Sequence, residues 1–147
     1  MFFVGLLAVI AVLGALIIFD GDDTPTVTFD GVEAVYGGPT TFEAGQYEFH
    51  YDVSEYEPGV IIIVSQLLDD SVTFDDVKAD AEENPASSTP PEYIGRFNMT
   101  TVTGETAEDR VVDKMVRLDD DTRYLITAHT SRSDTDRVFP AAIIEVE

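Results

Sequence analysis

The chain has 147 residues and no cysteine, and its 29 Asp and Glu residues against 8 Lys and Arg residues give a formal net charge of −21. The length fits one domain, and the lack of cysteine excludes a disulfide framework, a thiolate zinc site and a cysteine nucleophile. The charge argues against a surface that binds nucleic acid, because its field repels phosphate. With 44% hydrophobic residues, the chain is also too apolar for an acidic disordered tail.

The few basic residues are unevenly distributed, with two lysines (Lys78 and Lys114) against six arginines. A folded domain with a carboxylate-rich surface and few lysines resembles the proteins of salt-loving archaea. In such proteins, concentrated cations screen the self-repulsion of the compact state. The alternative is an ordinary acidic surface in a mesophile. We expect a halophilic archaeal protein that faces a saline aqueous space.

Residues 1–19 contain no charged or polar side chain, and the apolar run stops at Asp20. As a helix these residues would span about 28 Å, close to the thickness of the hydrocarbon core of a bilayer. The alternative is a cleaved signal peptide, which would show a basic residue before the apolar run and a small-x-small cleavage site. Neither pattern is present. We therefore predict a single transmembrane or assembly helix over 1–19, followed by a linker over 20–25.

Small residues recur within this apolar segment at spacings of three, three and four, which places them on one helix face. They are Gly5, Ala8, Ala11 and Ala15. Such a face lets helices approach closely in a membrane or in a filament core, although Gly and Ala are also frequent in membrane spans generally. We predict a helix-packing face here, and we expect the acidic domain that follows to lie on the extracellular side of the cell membrane.

Residues 26–147 read as a series of short strands separated by turn signals. The clearest strand covers 46–53, where Tyr47, Phe49, Tyr51 and Val53 alternate with polar residues. The β-branched run 60–64 predicts a central strand that is buried on both faces. The segment 107–118 fits both a helix and a strand. Eight or nine strands at this spacing predict an antiparallel β-sandwich.

One short helix is predicted within the sandwich. Thr73 can cap its N-terminus, and Asp76, three residues later, completes a pair that resembles a capping box. Phe74, Val77 and Ala81 form a narrow apolar stripe, and Asn84-Pro85 ends the helix.

The order of these elements resembles that of cupredoxin-like domains, the Greek-key sandwich of blue copper proteins. The segments that carry the likeness are 44–49, 67–77, 90–92, 104–107 and 118–125, in that order, within 41–147. The resemblance implies a Greek-key β-sandwich with one inserted helix. It does not extend to the copper site, which needs two histidines, a thiolate and a weak axial ligand. This chain has no cysteine and only two histidines, His50 and His129, so electron transfer is not expected.

The remaining site signals are weak. We interpret the two histidines as sheet residues and expect no metal site and no cofactor. The acidic clusters 20–23, 69–70, 75–76 and 119–121 match no EF-hand loop and indicate a solvated halophilic surface, with loose calcium or magnesium binding at the Asp119 turn as the alternative. Neither a nucleophile elbow nor a phosphate loop is present, so we expect no enzyme activity. Asn98-Met99-Thr100 is a sequon, which makes Asn98 a candidate glycosylation site.

Two functions fit these observations. The first is a membrane-anchored extracytoplasmic binding or structural module, without copper or catalysis, that contacts other envelope or membrane proteins. The second is a pilin-like subunit of an archaeal surface filament, assembled through the N-terminal helix. The pilin hypothesis requires Met1 to be a processed end, because no basic processing site precedes the helix. An accessory subunit of a membrane complex is a third, weaker interpretation.

Overall fold

The computed structural model describes residues 16–17, 24–83, 91–130 and 137–147. This part of the chain is mainly β, with two five-stranded sheets and one α-helix, α1 (Phe74–Glu83). The strands are β1 (Leu16–Ile17), β2 (Thr26–Phe29), β3 (Ala34–Gly37), β4 (Thr41–Phe42), β5 (Gly45–Asp52), β6 (Val60–Leu67), β7 (Ile94–Val102), β8 (Val111–Leu118), β9 (Thr122–Thr130) and β10 (Arg137–Val146).

The first sheet, called sheet I, is built around β5. Strand β8 pairs antiparallel along the whole length of β5. On the other edge of β5, β1 pairs with its start and β2 with its end, both in the parallel sense. Strand β3 then pairs antiparallel with β2 at the outside of the sheet.

The second sheet, called sheet II, has the strand order β4-β10-β9-β6-β7. Its neighbours are antiparallel except for β4, which pairs in parallel with the end of β10. Both sheets are therefore mixed, and the prediction of a purely antiparallel sandwich was wrong. The reason is connectivity: the chain leaves sheet I after β3, forms β4 in sheet II and returns to form β5. A strand that is rejoined after such a crossover can lie parallel to its neighbour.

The hydrophobic core lies between the two sheets, and the strand predicted over 46–53 supplies its largest side chains. Tyr47, Phe49, Tyr51 and Val53 are all at most 1% exposed, so the predicted alternation is confirmed. From sheet II they meet buried side chains that include Ile62, Val64, Ile126 and Ile144. The Phe42 ring joins them edge-on, with its centroid 4.8 Å from that of Tyr47.

The predicted helix is present and begins as the sequence indicated. The Thr73 N–H donates to the Asp76 carboxylate (2.9 Å), and the Asp76 N–H donates to the Thr73 hydroxyl (3.2 Å), which is the reciprocal capping expected. Val77 is buried, whereas Phe74 and Ala81 are half-buried. The helix packs with Val72 on the outer face of sheet II, against Leu67 and Leu125.

The ambiguous segment 107–118 forms a short 3₁₀ turn (Glu108–Arg110) followed by strand β8. Arg110 is only 5% exposed, and its guanidinium donates to two backbone carbonyls instead of a carboxylate. One bond reaches Gly104 O (2.9 Å) and the other Ser54 O (2.8 Å). This side chain therefore fixes the start of β8 to the loop between β5 and β6.

Strand β6 is central in sheet II, between β7 and β9, as predicted for 60–64. Its burial differs from the prediction, because Ile61 and Ile63 are only half-buried. They point to the outer face of the sheet, and α1 packs on the other end of that face. The expectation of burial on both faces was wrong for these two residues.

The predicted N-terminal helix over 1–19, with Gly5, Ala8, Ala11 and Ala15, lies outside the described residues apart from the two-residue strand β1. Within the described ranges, none of the helical structure has the length and apolarity required to cross a bilayer. The membrane helix and its packing face remain predictions.

We expect Arg110→Lys to reduce the free energy of unfolding by about 1–3 kcal/mol, since the single ammonium nitrogen of lysine lacks the guanidinium fork whose two nitrogens serve the two carbonyls, and a buried carbonyl without a donor is costly. Denaturant unfolding of the full chain at constant ionic strength measures the change. Arg96→Lys is the matched control, because the Arg96 side chain is 80% exposed, and it should stay within about 0.5 kcal/mol of the parent chain. Equal effects of the two substitutions would contradict this role of Arg110.

Candidate interaction surface

The outer face of sheet I is polar and charged. Glu48, His50 and Asp52 point outward from β5, and Asp113 and Arg117 point outward from β8. His50 Nδ1 lies 2.7 Å from Asp113 Oδ1, directly across the two strands. This is the pattern expected for a sheet with one face on the core and one face in water.

The outer face of sheet II is different, because one region of it, across β7, β6 and β9, carries no charged side chain. We call it the uncharged face. It is made of rows that run across β7, β6 and β9: Met99 beside Ile63 and Thr127, and Thr101 beside Ile61 and His129, with Phe97 at the end of β7. Phe97 is 52% exposed and Met99 is 54% exposed. In a chain with 25% charged residues, such a face is unusual and resembles the core of a protein interface.

The uncharged face ends at an unpaired strand edge. Within the described residues, β7 pairs with β6 alone, so its other edge has no strand partner. Residues 97–102 of this edge carry no charge and no proline. The other sheet edges are protected: β8 carries Asp113, Lys114 and Arg117, and β3 and β4 have four and two residues. Charges and short length are the usual means of preventing edge pairing, and β7 has neither along most of its length.

An open cleft of about 380 Å³ lies between β7 and β8, where the two sheets meet at this side of the sandwich. Asn98 lines it, and both Asn98 and Thr100 point toward the interior of the sandwich from β7. Asn98 Oδ1 and Thr100 Oγ1 are buried and have no hydrogen-bond partner among the described residues. Asn98 lies in the middle of β7, where it pairs with Val64 of β6. Its glycosylation stays a prediction.

The two histidines lie on opposite outer faces, His50 on sheet I and His129 on sheet II, so they share no site. His129 Nε2 is hydrogen-bonded to the Thr127 hydroxyl at 2.9 Å. Burial lowers the pKa of His129 below its ordinary value of 6.5, because the charged imidazolium would lose its hydration. In the described residues, no three side chains of the types His, Cys, Asp and Glu come together as a metal site.

The Asp119 turn, a candidate cation site in the sequence, uses its carboxylate differently. Asp119 Oδ2 accepts a hydrogen bond from Arg96 Nη2 (3.0 Å), and Oδ1 accepts one from Arg117 Nε (3.2 Å). The Asp119 N–H donates to the Tyr124 hydroxyl (2.8 Å). The Asp119 carboxylate therefore joins Arg96, near the start of β7, to Arg117, near the end of β8. This geometry favours an ion pair with two arginines over a cation site.

Other predicted acidic clusters act as turn and cap acceptors. Asp69 Oδ1 accepts from the Ser71 hydroxyl (2.6 Å) and from the Ser71 N–H (2.9 Å), and these bonds lower the pKa of Asp69. Asp76 caps α1 as described above. The cluster 20–23 lies outside the described residues.

A second groove, of about 510 Å³, lies between β3, α1 and β10. Two cations, Lys78 and Arg137, line it together with the carboxylates of Glu33 and Glu82. The Lys78 ammonium lies 5.9 Å from the centroid of the Phe74 ring. The charges of this groove balance, so it offers no net attraction for an ion.

Sequence reasoning missed the uncharged face, although part of its signal was present. The β-branched run 60–64 predicts burial on both faces, whereas Ile61 and Ile63 are half-buried, and the alternation in 97–101 does not by itself indicate which sheet face is exposed. The missing information was which end of sheet II the helix covers, which depends on tertiary packing.

We expect His129 to make stability depend on pH below about 6.5. Its pKa is lower in the folded chain, so the unfolded chain takes up a proton first as the pH falls, and stability decreases in that range. In His129→Gln this part of the pH dependence should disappear, which unfolding measurements between about pH 5 and pH 8 can test. His50→Gln, the control, keeps His129 and should keep its slope. The same slope in the parent chain and in His129→Gln would contradict the prediction.

The sequence matches no protein-family model, and neither the curated proteins nor the solved structures give a significant match. The function proposed below therefore rests on the strand order and on the uncharged face.

Proposed function

We propose that this chain is a membrane-anchored extracytoplasmic interaction module, without copper or catalysis, that contacts envelope or membrane proteins through the uncharged face. The observation that carries the proposal is the contrast between the charged outer face of sheet I and the uncharged face, where Phe97 is 52% exposed and Met99 is 54% exposed.

The composition of the uncharged face supports this proposal. Protein interfaces are depleted of charged residues at their centre and enriched in aromatic residues and Met, as Phe97 and Met99 are here. Burial of apolar surface contributes roughly 25 cal/mol for each Å² removed from water. A partner that covers the two exposed side chains therefore gains energy without desolvating a charge.

The net charge restricts where contact can occur. With a formal charge of −21, most of the surface repels an acidic neighbour, and salt reduces that repulsion to short range. An acidic envelope protein can approach the uncharged face without placing carboxylates against each other. This fits a module that works among other acidic proteins in a saline environment.

The strand order supports a Greek-key, cupredoxin-like sandwich as the fold of this module. Strands β6 and β7 pair in sheet II, while β5 and β8, which precede and follow them in the chain, pair in sheet I. The return of a fourth strand beside the first is one part of the Greek-key pattern, here with β5 and β6 in different sheets. The Tyr124 hydroxyl also contacts the backbone five residues upstream, similar to the tyrosine corner of such sandwiches.

The alternative is a pilin-like subunit. The sequence observation in its favour is the row of small residues Gly5, Ala8, Ala11 and Ala15 in the apolar segment, which would let helices pack in a filament core. Electron microscopy of cell-surface material, labelled with an antibody against the folded domain, distinguishes the two. Labelled filaments would support the pilin, and label spread over the membrane face would support the module.

Two single-cysteine variants test the module on intact cells, because the parent chain has no cysteine. Met99→Cys lies on the uncharged face, and Thr28→Cys lies at an exposed position of sheet I. We expect a membrane-impermeant maleimide carrying a photoreactive group to label Thr28→Cys without lysis. After illumination, Met99→Cys should give discrete crosslinked products, because a partner covers that position in part of the population.

The parent chain is the control for labelling, and Thr28→Cys is the control for crosslinking. Labelling that occurs only after lysis would show that the extracytoplasmic placement is wrong. If illumination gave no product from Met99→Cys, or the same products from both variants, the uncharged face would not be the contact surface.

A further inference from the structure

We infer that the free edge of β7 pairs with the β7 edge of a second copy of this chain, antiparallel, so that the two copies of sheet II form one continuous sheet. This inference rests on the proposed function and names the partner of the β7 edge, which borders the uncharged face.

The main chain of β7 has no strand partner along its outer edge within the described residues. Residues along β7 alternate between those whose N–H and C=O groups face β6 and those whose groups face away. Over the nine residues of β7, the groups that face away meet no described strand. Long edges without charges are templates for another strand, and the run 97–102 contains no charge and no proline to prevent pairing.

The net charge of the chain limits where two copies can be in contact. Two copies bring a formal charge of −21 each, so a stable contact requires a surface where carboxylates are not placed against carboxylates. The β7 edge meets this condition, because the one charged residue of the strand is Arg96. The carboxylate of Asp119, in the cleft beside this edge, is bonded to Arg96 and Arg117. The Arg96 side chain is drawn toward Asp119 of its own chain by their 3.0 Å hydrogen bond.

The side-chain alternation of β7 restricts the register in which two copies of the strand can pair. Antiparallel pairing of a strand with itself is symmetric about one residue, and it must keep outward side chains on the outward side. Met99, near the middle of the run 97–102, meets both conditions. Each Met99 then lies opposite the Met99 of the other copy, and Phe97 lies opposite Thr101. The row Thr127–Ile63–Met99 continues into the same row of the second copy, so the uncharged face doubles in width.

The other sheet edges of the molecule are less suited to self-pairing than the β7 edge. Self-pairing of β8 would bring Asp113, Lys114 and Arg117 to the contact, and β3 is too short to give a comparable ladder.

The test uses the full chain in its native membrane, or extracted in mild detergent at high salt. Met99→Cys should form an intermolecular disulfide under mild oxidation, because facing residues of antiparallel strands have Cα atoms about 4.5–5.5 Å apart, within the range that a disulfide spans. Met115→Cys is the matched control, since Met115 is also an outward methionine on an edge strand and is 39% exposed. We expect the covalent dimer from Met99→Cys and little or none from Met115→Cys.

A second pair of variants does not depend on oxidation. Met99→Lys would place two ammonium groups directly opposite each other, which we expect to raise the Kd of the dimer by about tenfold or more. Met115→Lys should leave the Kd unchanged. Analytical ultracentrifugation in detergent measures both, and unchanged thermal unfolding of each monomer shows that folding is intact. A dimer held by the N-terminal segment would be insensitive to Met99→Lys, and that result would overturn the inference.

The outcomes separate the two proposals. If the crosslinked products of Met99→Cys on cells have the mass of two copies, both proposals stand. If they contain a different polypeptide and the purified chain forms no disulfide dimer, the self-pairing is wrong and the interaction module stands. If Met99→Cys gives no product in either experiment, both are wrong.

Discussion

Repulsion among the carboxylates is the constraint on which the surface of this protein depends. The chain carries 29 acidic residues, and each needs water, a hydrogen-bond donor or a cation. Many of the described acids are placed where backbone N–H groups are free. Asp30 accepts from the N–H groups of Glu33 and Val32, and these bonds lower the pKa of its carboxyl group. Asp76 and Asp109 cap helical turns in the same way, so part of the acidic surface also stabilises the turns.

Glu48, Asp52 and Asp113 lie on the outer face of sheet I, whereas the uncharged face of sheet II carries no acid. Strand β5 connects the two features. Its inward residues Tyr47, Phe49 and Tyr51 fill the core, while its outward residues Glu48 and Asp52 lie in water. Strand β6 does not alternate apolar and polar residues in this way, because the apolar Ile61 and Ile63 point outward. The two central strands therefore give the sandwich one face adapted to solvent and one adapted to contact.

Local patterns predicted the elements of the fold well. The alternation of 46–53 predicted a strand with its buried face, and Thr73 with Asp76 predicted the start of the helix, because both signals depend on neighbours in sequence. The parallel pairings of β2 with β5 and of β4 with β10 could not be predicted, since they follow from where the chain crosses between sheets. The burial of Arg110 was equally hidden, because its acceptors lie on backbone carbonyls that no sequence pattern marks.

The candidate site was less predictable than the fold. Sequence patterns directed attention to histidines and acidic clusters, which carry recognisable chemistry, and the structure places these on separate faces and in turns. The uncharged face consists of ordinary residues such as Ile63, Thr127 and Met99, and only their alignment across three strands makes them a surface. Alignment of this kind depends on register and on the position of α1, so it requires the folded structure.

Hydrogen exchange of the full chain in its native membrane, followed by mass spectrometry, tests most directly whether this edge and face are a contact surface. The informative comparison is between β7 and β8 before and after extraction into detergent at a concentration low enough to dissociate complexes. We expect the amides of β7 to exchange faster after dissociation and those of β8 not to change. Equal exchange of β7 in the membrane and in the dissociated state would contradict this expectation, because an edge strand that gains no protection has no partner.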